Sequence, residues 1–141
     1  MAIRTGTGVW RGDLRSGQGT VALGSGAFRG PYSFPSRFEE GAGTNPEELM
    51  AAAHAGCYAM ALSNLLATAG FTPTEVTVEA KVHLGKDDRG AAITKIELHC
   101  RAAVPGLDAA TFSSHAEAAK VGCPVSKALA ATPIELDAAL I

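Results

Sequence analysis

Asn45-Pro46-Glu47-Glu48-Leu49-Met50-Ala51-Ala52-Ala53-His54-Ala55-Gly56-Cys57-Tyr58-Ala59-Met60-Ala61-Leu62, running on to Gly70, is the stretch on which the fold turns. Asn45 can cap a helix, Pro46 suits the first helical position, and Glu48 three residues after the cap resembles a capping box. The pattern predicts a helix from about 46 to 69, stopped at Gly70. No Asp, Glu, Lys or Arg occurs between Glu48 and Glu75. That span is long enough for a membrane helix. Alanine dominates it, however, His54, Ser63, Asn64 and Thr68 interrupt it, and no basic residue flanks it to set an orientation. The reading is therefore a buried central helix, with no membrane partner.

Such a helix is about 36 Å long at 1.5 Å per residue, close to the full diameter of a domain of this size. Uncharged all round, it needs cover on every face, and a single sheet covers only one. A second copy of the same helix could supply the remainder, because Ala51-Ala52-Ala53 and Ala55-Gly56 let two backbones approach across a two-fold axis. The sequence thus predicts a homodimer. The alternative is that helices predicted between 108 and 130 provide the cover.

Working outward, Thr5 to Phe38 is rich in glycine and β-formers and reads as a meander of short strands. Gly6-x-Gly8 and Gly24-x-Gly26 are turns, since neither completes a phosphate-binding loop. After Gly70, Val76 to Leu84 and Ile96 to Ala102 alternate strictly and predict a β-hairpin joined through Gly85 to Gly90. Asp108 can cap a helix reaching about Val121, with Gly122 as its C-terminal cap, and Cys123-Pro124 opens a shorter one to about Ala130. A last strand covers Pro133 to Ala138. Segregated strands and helices indicate an α+β fold in a single domain, 1–141.

The net charge is -2, with no basic cluster, so a nucleic-acid partner is excluded. Only 18% of residues are charged and 47% are hydrophobic, which again favours oligomerisation. The N-terminus lacks an apolar segment behind a basic start, so a cytoplasmic location is expected. There, three cysteines serve packing or redox chemistry more readily than structural disulfides. Cys100 lies on the apolar face of its strand and reads as a small hydrophobe. Cys57 sits in the uncharged helix, where burial raises a thiol's pKa, so reactivity there requires a cation. Cys123, at a helix N-cap, is the easier thiolate. His54, His83, His99 and His115 are scattered, with no metal-ligand spacing, and no metal or cofactor is expected. His54 shares a helix face with Cys57 and could act as its base, or simply pack.

The segment Gly43 to Leu62, together with Cys123-Pro124-Val125-Ser126-Lys127-Ala128-Leu129, closely resembles the OsmC/Ohr family of osmotically inducible and organic-hydroperoxide-resistance proteins. Two cysteine motifs in order, 66 residues apart, carry the resemblance. Val125-Ser126-Lys127 and the early arginine are more similar to the OsmC branch. Gly56 and Tyr58 stand where family members often have Ala and Phe. The resemblance implies an intertwined homodimer and a cysteine peroxidase that reduces organic hydroperoxides, and hydrogen peroxide more weakly. In it Cys57 attacks the peroxide, Cys123 resolves the sulfenic acid as a disulfide, and a small dithiol or lipoylated protein reduces that disulfide. Arg37 would supply the cation to Cys57, and Glu47 would orient the guanidinium. Glu47 and Cys57 are separated by about 15 Å along a straight helix. Either the helix breaks near its start or a partner subunit supplies the residues. A competing function is a non-catalytic dimeric protein that binds an apolar ligand, with the cysteines as packing.

Overall fold

Short β-forming runs separated by Gly and Ser make three strands at the start of the chain: β1 (Gly6–Arg11), β2 (Gln18–Leu23) and β3 (Arg29–Tyr32). They form an antiparallel sheet in the order β1-β2-β3, with Val9 opposite Thr20 and Val21 opposite Gly30. Trp10 and Tyr32 pack with ring centroids 5.2 Å apart. The close approach depends on Gly19, because a Cβ there would lie 2.4 Å from the Tyr32 ring and 2.6 Å from the Trp10 ring. The computed structural model describes all 141 residues, which fall into two compact units, Met1–Leu49 and Met50–Ile141.

The meander expected to continue to Phe38 ends instead at Tyr32. Phe34 to Phe38 form a short helix, α1 (Phe34–Phe38), opened by Ser33 and Ser36, whose side chains each bond the other's backbone N–H. Pro35, unsuited to an interior strand, is at home in the first turn. Ser36 Oγ also donates to the Thr44 carbonyl at 2.7 Å.

The long helix is α2 (Pro46–Thr68), unbroken over 23 residues. Asn45 caps it as expected: its Oδ1 accepts from the Glu48 N–H at 2.8 Å, and its Nδ2 donates to the Ser36 carbonyl at 3.0 Å. The capping box is not closed, since the Glu48 carboxylate accepts instead from the Thr44 hydroxyl at 2.6 Å. At the far end Gly70, with φ of 94°, lets its own N–H reach the Ala67 carbonyl and the Phe71 N–H reach Leu66. This pairing satisfies the last carbonyls in the manner of a Schellman motif. In the second unit α2 buries one stripe, His54, Tyr58, Leu62 and Leu66, while Met60 is 77% exposed. Cover on every face is therefore not achieved within one chain.

The expected hairpin is longer than its alternation suggested. Strands β4 (Glu75–Asp87) and β5 (Gly90–Ala103) pair antiparallel around a tight turn at Asp88 and Arg89, with a bulge between His83 and Leu84. Gly90, with φ of 121°, closes the turn. Helix α3 (Ala109–Gly122) follows, with Asp108 accepting from the Thr111 N–H at 2.9 Å. Gly122 is its last helical residue, and the cap is Cys123, whose N–H reaches the Ala119 carbonyl. Helix α4 (Pro124–Ala128) starts from the same cysteine. Strand β6 (Ile134–Leu140) then lies parallel to β5, Ile96 opposite Ile134, giving the sheet order β4-β5-β6. The fold is α+β, but β5, the two helices and β6 make a crossover unit that segregation of the elements had not suggested. Ile96, Leu98, Cys100 and Ala102 on β5 are fully buried and meet the α2 stripe and Phe112 of α3 in the core.

Candidate active site

In the first unit, α1 and the start of α2 hold one charged pair. Arg37, in the last turn of α1, donates from Nε to both Glu47 oxygens at 3.2 Å and from Nη2 to Oε1 at 2.7 Å. A forked contact of this kind fixes the plane of the guanidinium as well as its charge. Glu47 is 6% exposed, whereas the Arg37 side chain keeps 34% of its surface open. The carboxylate is thus buried behind an arginine that still has a free side.

In the second unit, α2 and the α3–α4 junction bring two thiols together. Cys57 Sγ and Cys123 Sγ are 2.9 Å apart and unbonded, Cys123 fully buried and Cys57 partly so. The two sulfurs differ in acidity. Burial and then the hydrogen bond with Cys123 push Cys57 up, against a smaller lowering by the Val125 N–H. Burial also acts to raise Cys123, but it is outweighed by the hydrogen bond with Cys57, the backbone and hydroxyl of Ser126 and the Val125 N–H, and the net shift is downward. When the two sulfurs of one chain share a single proton, the negative charge falls on Cys123. An open groove along α2, lined by Met60, Ser63, Asn64 and Val76, includes neither sulfur.

Cys100 is separate from this pair. Burial pushes it to about 11, so it stays a thiol in the core. His54 is also buried, and its Nε2 lies 2.7 Å from Ser126 Oγ. Sequence reasoning offered His54 to Cys57 and did not find Ser126, which lies 72 residues further on. The signal available was only that Ser126 follows Cys123 by three residues, one helical turn. No cluster of His, Cys, Asp or Glu could hold a metal ion.

Two facing free thiols of unequal acidity on an α+β frame are the arrangement that dithiol redox chemistry requires. A protein-family model described as OsmC-like protein matches residues 39–137. The chain is 53% identical over 135 residues to Peroxiredoxin OsmC of Escherichia coli (strain K12), covering 95% of this chain and 94% of that protein. It is 38% identical over 89 residues to the Organic hydroperoxide resistance protein of Xanthomonas axonopodis pv. citri (strain 306), covering 62% and 61% of the two. Among solved structures, the organic hydroperoxide resistance protein OhrB of Bacillus subtilis aligns with a TM-score of 0.73 at 25% identity, over 97% of this chain and 98% of that one. The chain belongs to the OsmC-like protein family.

Proposed function

We propose that the protein is a thiol-dependent peroxidase that reduces organic hydroperoxides to alcohols, and hydrogen peroxide more weakly, acting in the cytoplasm as a homodimer. The observation that carries this reading is the 2.9 Å approach of Cys57 and Cys123 as free thiols. The names of the relatives, a peroxiredoxin and organic hydroperoxide resistance proteins, support it.

Cys57, as thiolate, attacks the distal peroxide oxygen. The O–O bond breaks, and the alkoxide leaves and takes a proton to become the alcohol. Cys57 is left as sulfenic acid. Cys123 then attacks the Cys57 sulfur, the S–O bond breaks, hydroxide leaves as water, and a disulfide closes. An external small dithiol or lipoylated protein returns two electrons and two protons. Cys123 needs only a small displacement to reach bonding distance.

Arg37 is proposed to supply the charge that makes Cys57 a thiolate, and to polarise the peroxide, with Glu47 holding its guanidinium in place. Because α2 is unbroken, the favoured arrangement has Arg37 and Glu47 of one subunit serving the other subunit's Cys57. The single buried stripe of α2 and the exposed Met60 support a partner helix on the open side.

The test is intact mass before and after one equivalent of cumene hydroperoxide. Loss of two hydrogens, mapped to Cys57 and Cys123, is expected, and Cys57→Ser should abolish turnover. An unchanged mass would favour the apolar binding protein, and full activity in Cys57→Ser would remove the assignment.

A further inference from the structure

His54 and Ser126 form a buried polar contact that the peroxidase steps above leave unused. Their Nε2 and Oγ atoms lie 2.7 Å apart, with His54 0% and Ser126 4% exposed. His54 Nδ1 is also buried and has no hydrogen-bond partner. A polar contact sealed in a core is costly to keep unless it is satisfied or has a task.

The unpaired nitrogen settles the direction of the bond. Burial lowers the His54 pKa, so the ring is neutral near pH 7 and carries one proton. A buried N–H without an acceptor is rarer than a buried lone pair without a donor. The proton therefore sits on Nε2 and points at Ser126 Oγ. Once the serine oxygen accepts this bond, its own hydrogen is free to point elsewhere. Cys123 is the N-cap of α4 and Ser126 its third residue, one helical turn away and likewise buried, and the Ser126 hydroxyl acts to lower the Cys123 pKa. Cys57 is the other titratable group acting there.

We propose that His54 is a positioning residue for Cys123: its Nε2–H fixes the Ser126 hydroxyl so that Ser126 donates to Cys123 Sγ and holds that sulfur as the thiolate that attacks Cys57 sulfenic acid. The proposal rests on the peroxidase reading for its chemical step. The resolving thiol is thereby ionised from within one chain. The same high acidity makes Cys123 a good leaving group when an external dithiol attacks the Cys57 side of the disulfide.

The experiment separates the two oxidation steps. Reduced protein is mixed with one equivalent of cumene hydroperoxide at pH 7 and quenched into dimedone at intervals, and intact mass follows sulfenic acid and disulfide. Ser126→Ala should form sulfenic acid at the wild-type rate but close the disulfide about tenfold more slowly, the loss of one charge-stabilising hydrogen bond. Ser126→Thr, which keeps a hydroxyl, should restore closure. His54→Phe should behave as Ser126→Ala, and His54→Gln, which can still donate, should recover part of the rate. Thiolate absorbance at 240 nm gives a peroxide-independent readout: the most acidic thiol should titrate about one pH unit higher in Ser126→Ala, the same tenfold. Wild-type closure and an unmoved titration in Ser126→Ala would overturn the relay. Absence of both sulfenic acid and disulfide in the peroxide-treated wild type, with the titration still moved, would count against the peroxidase reading and leave the relay supported.

Discussion

Cys57 and Cys123, on different helices and 66 positions apart, meet at 2.9 Å with opposite shifts in pKa, Cys57 up and Cys123 down. The roles of the two sulfurs are therefore not interchangeable. Cys123→Ser should still be oxidised at Cys57 by one equivalent of an organic hydroperoxide, and with no thiol in reach it should stop at sulfenic acid, passing to sulfinic acid only as a second equivalent is consumed. Stopped-flow peroxide consumption should show one stoichiometric burst and no steady state, whereas Cys57→Ser should show neither. A sustained steady state in Cys123→Ser would mean that another thiol resolves the sulfenic acid.

Cys100 makes a prediction about stability at high pH. Its thiol is fully buried in the core and pushed by burial to about 11, from an unfolded value near 9. Between these values the unfolded chain loses the proton while the folded one keeps it, so stability is intact below pH 9 and falls as pH rises toward 11. The slope is about 1.4 kcal/mol per pH unit for one group, or about 3 kcal/mol across the window. Urea unfolding of the wild type and Cys100→Ala at several pH values checks this. Cys100→Ala should be weaker at pH 7 through its cavity, yet lose stability less steeply above pH 9. Parallel slopes would show that Cys100 ionises freely in the fold.

Tyr58 is buried between α2 and α3, with its hydroxyl donating to the Ala116 carbonyl at 3.0 Å. Phe at this position, common in the family by resemblance, keeps the ring and loses that bond. Tyr58→Phe should cost about 1 kcal/mol, read as a lower urea midpoint at unchanged slope, and leave the rate of peroxide reduction unaffected.

The sequence made the helix ends legible because their chemistry is local. As caps, Asn45, Pro46, Asp108 and Gly70 act on helix-end backbone groups within four residues, and each sits where its residue type requires. What depends on distant groups was not legible. Glu48 had the spacing of a capping box, but the Thr44 hydroxyl outcompeted the cap N–H for its carboxylate. The Ser33–Ser36 box of α1 was present in the sequence but hidden in a glycine-rich run that resembled a meander. Alternation in 133 to 138 announced a strand but not its partner, and β6 joined β5 in parallel. At the site, the resemblance named Cys57, Cys123, Arg37 and Glu47. The His54–Ser126 contact spans 72 residues, and no spacing rule reports it.

Asn45 ties α2 to α1, accepting from Glu48 and donating to Ser36. Asn45→Ala removes both bonds and should cost about 1–2 kcal/mol. Asn45→Asp keeps the accepting half and should recover most of that loss. A larger fall in peroxide turnover than in stability for Asn45→Asp would show that the Nδ2 bond also places Arg37, which lies on α1 beside Ser36.

The forked Arg37–Glu47 pair and the unbroken α2 lead to the sharpest expectation. Arg37→Ala should leave Cys57 with its burial-raised pKa, and each unit of pKa restored removes about tenfold of the thiolate present at pH 7. Peroxide oxidation of Cys57 should fall at least that far, and Glu47→Gln, which leaves the guanidinium less firmly held, should fall less. The origin of the arginine is then decided by co-expressing Arg37→Ala with Cys57→Ser. If each Cys57 is served by the partner's arginine, half of the randomly paired dimers hold one complete site, and activity per subunit should return to about a quarter of wild type. If Arg37 serves its own chain, no combination in the mixture is complete and activity stays at the level of Arg37→Ala alone. Size-exclusion chromatography of the mixture must show dimers for either result to be read, and a monomer retaining full activity would refute the shared site altogether.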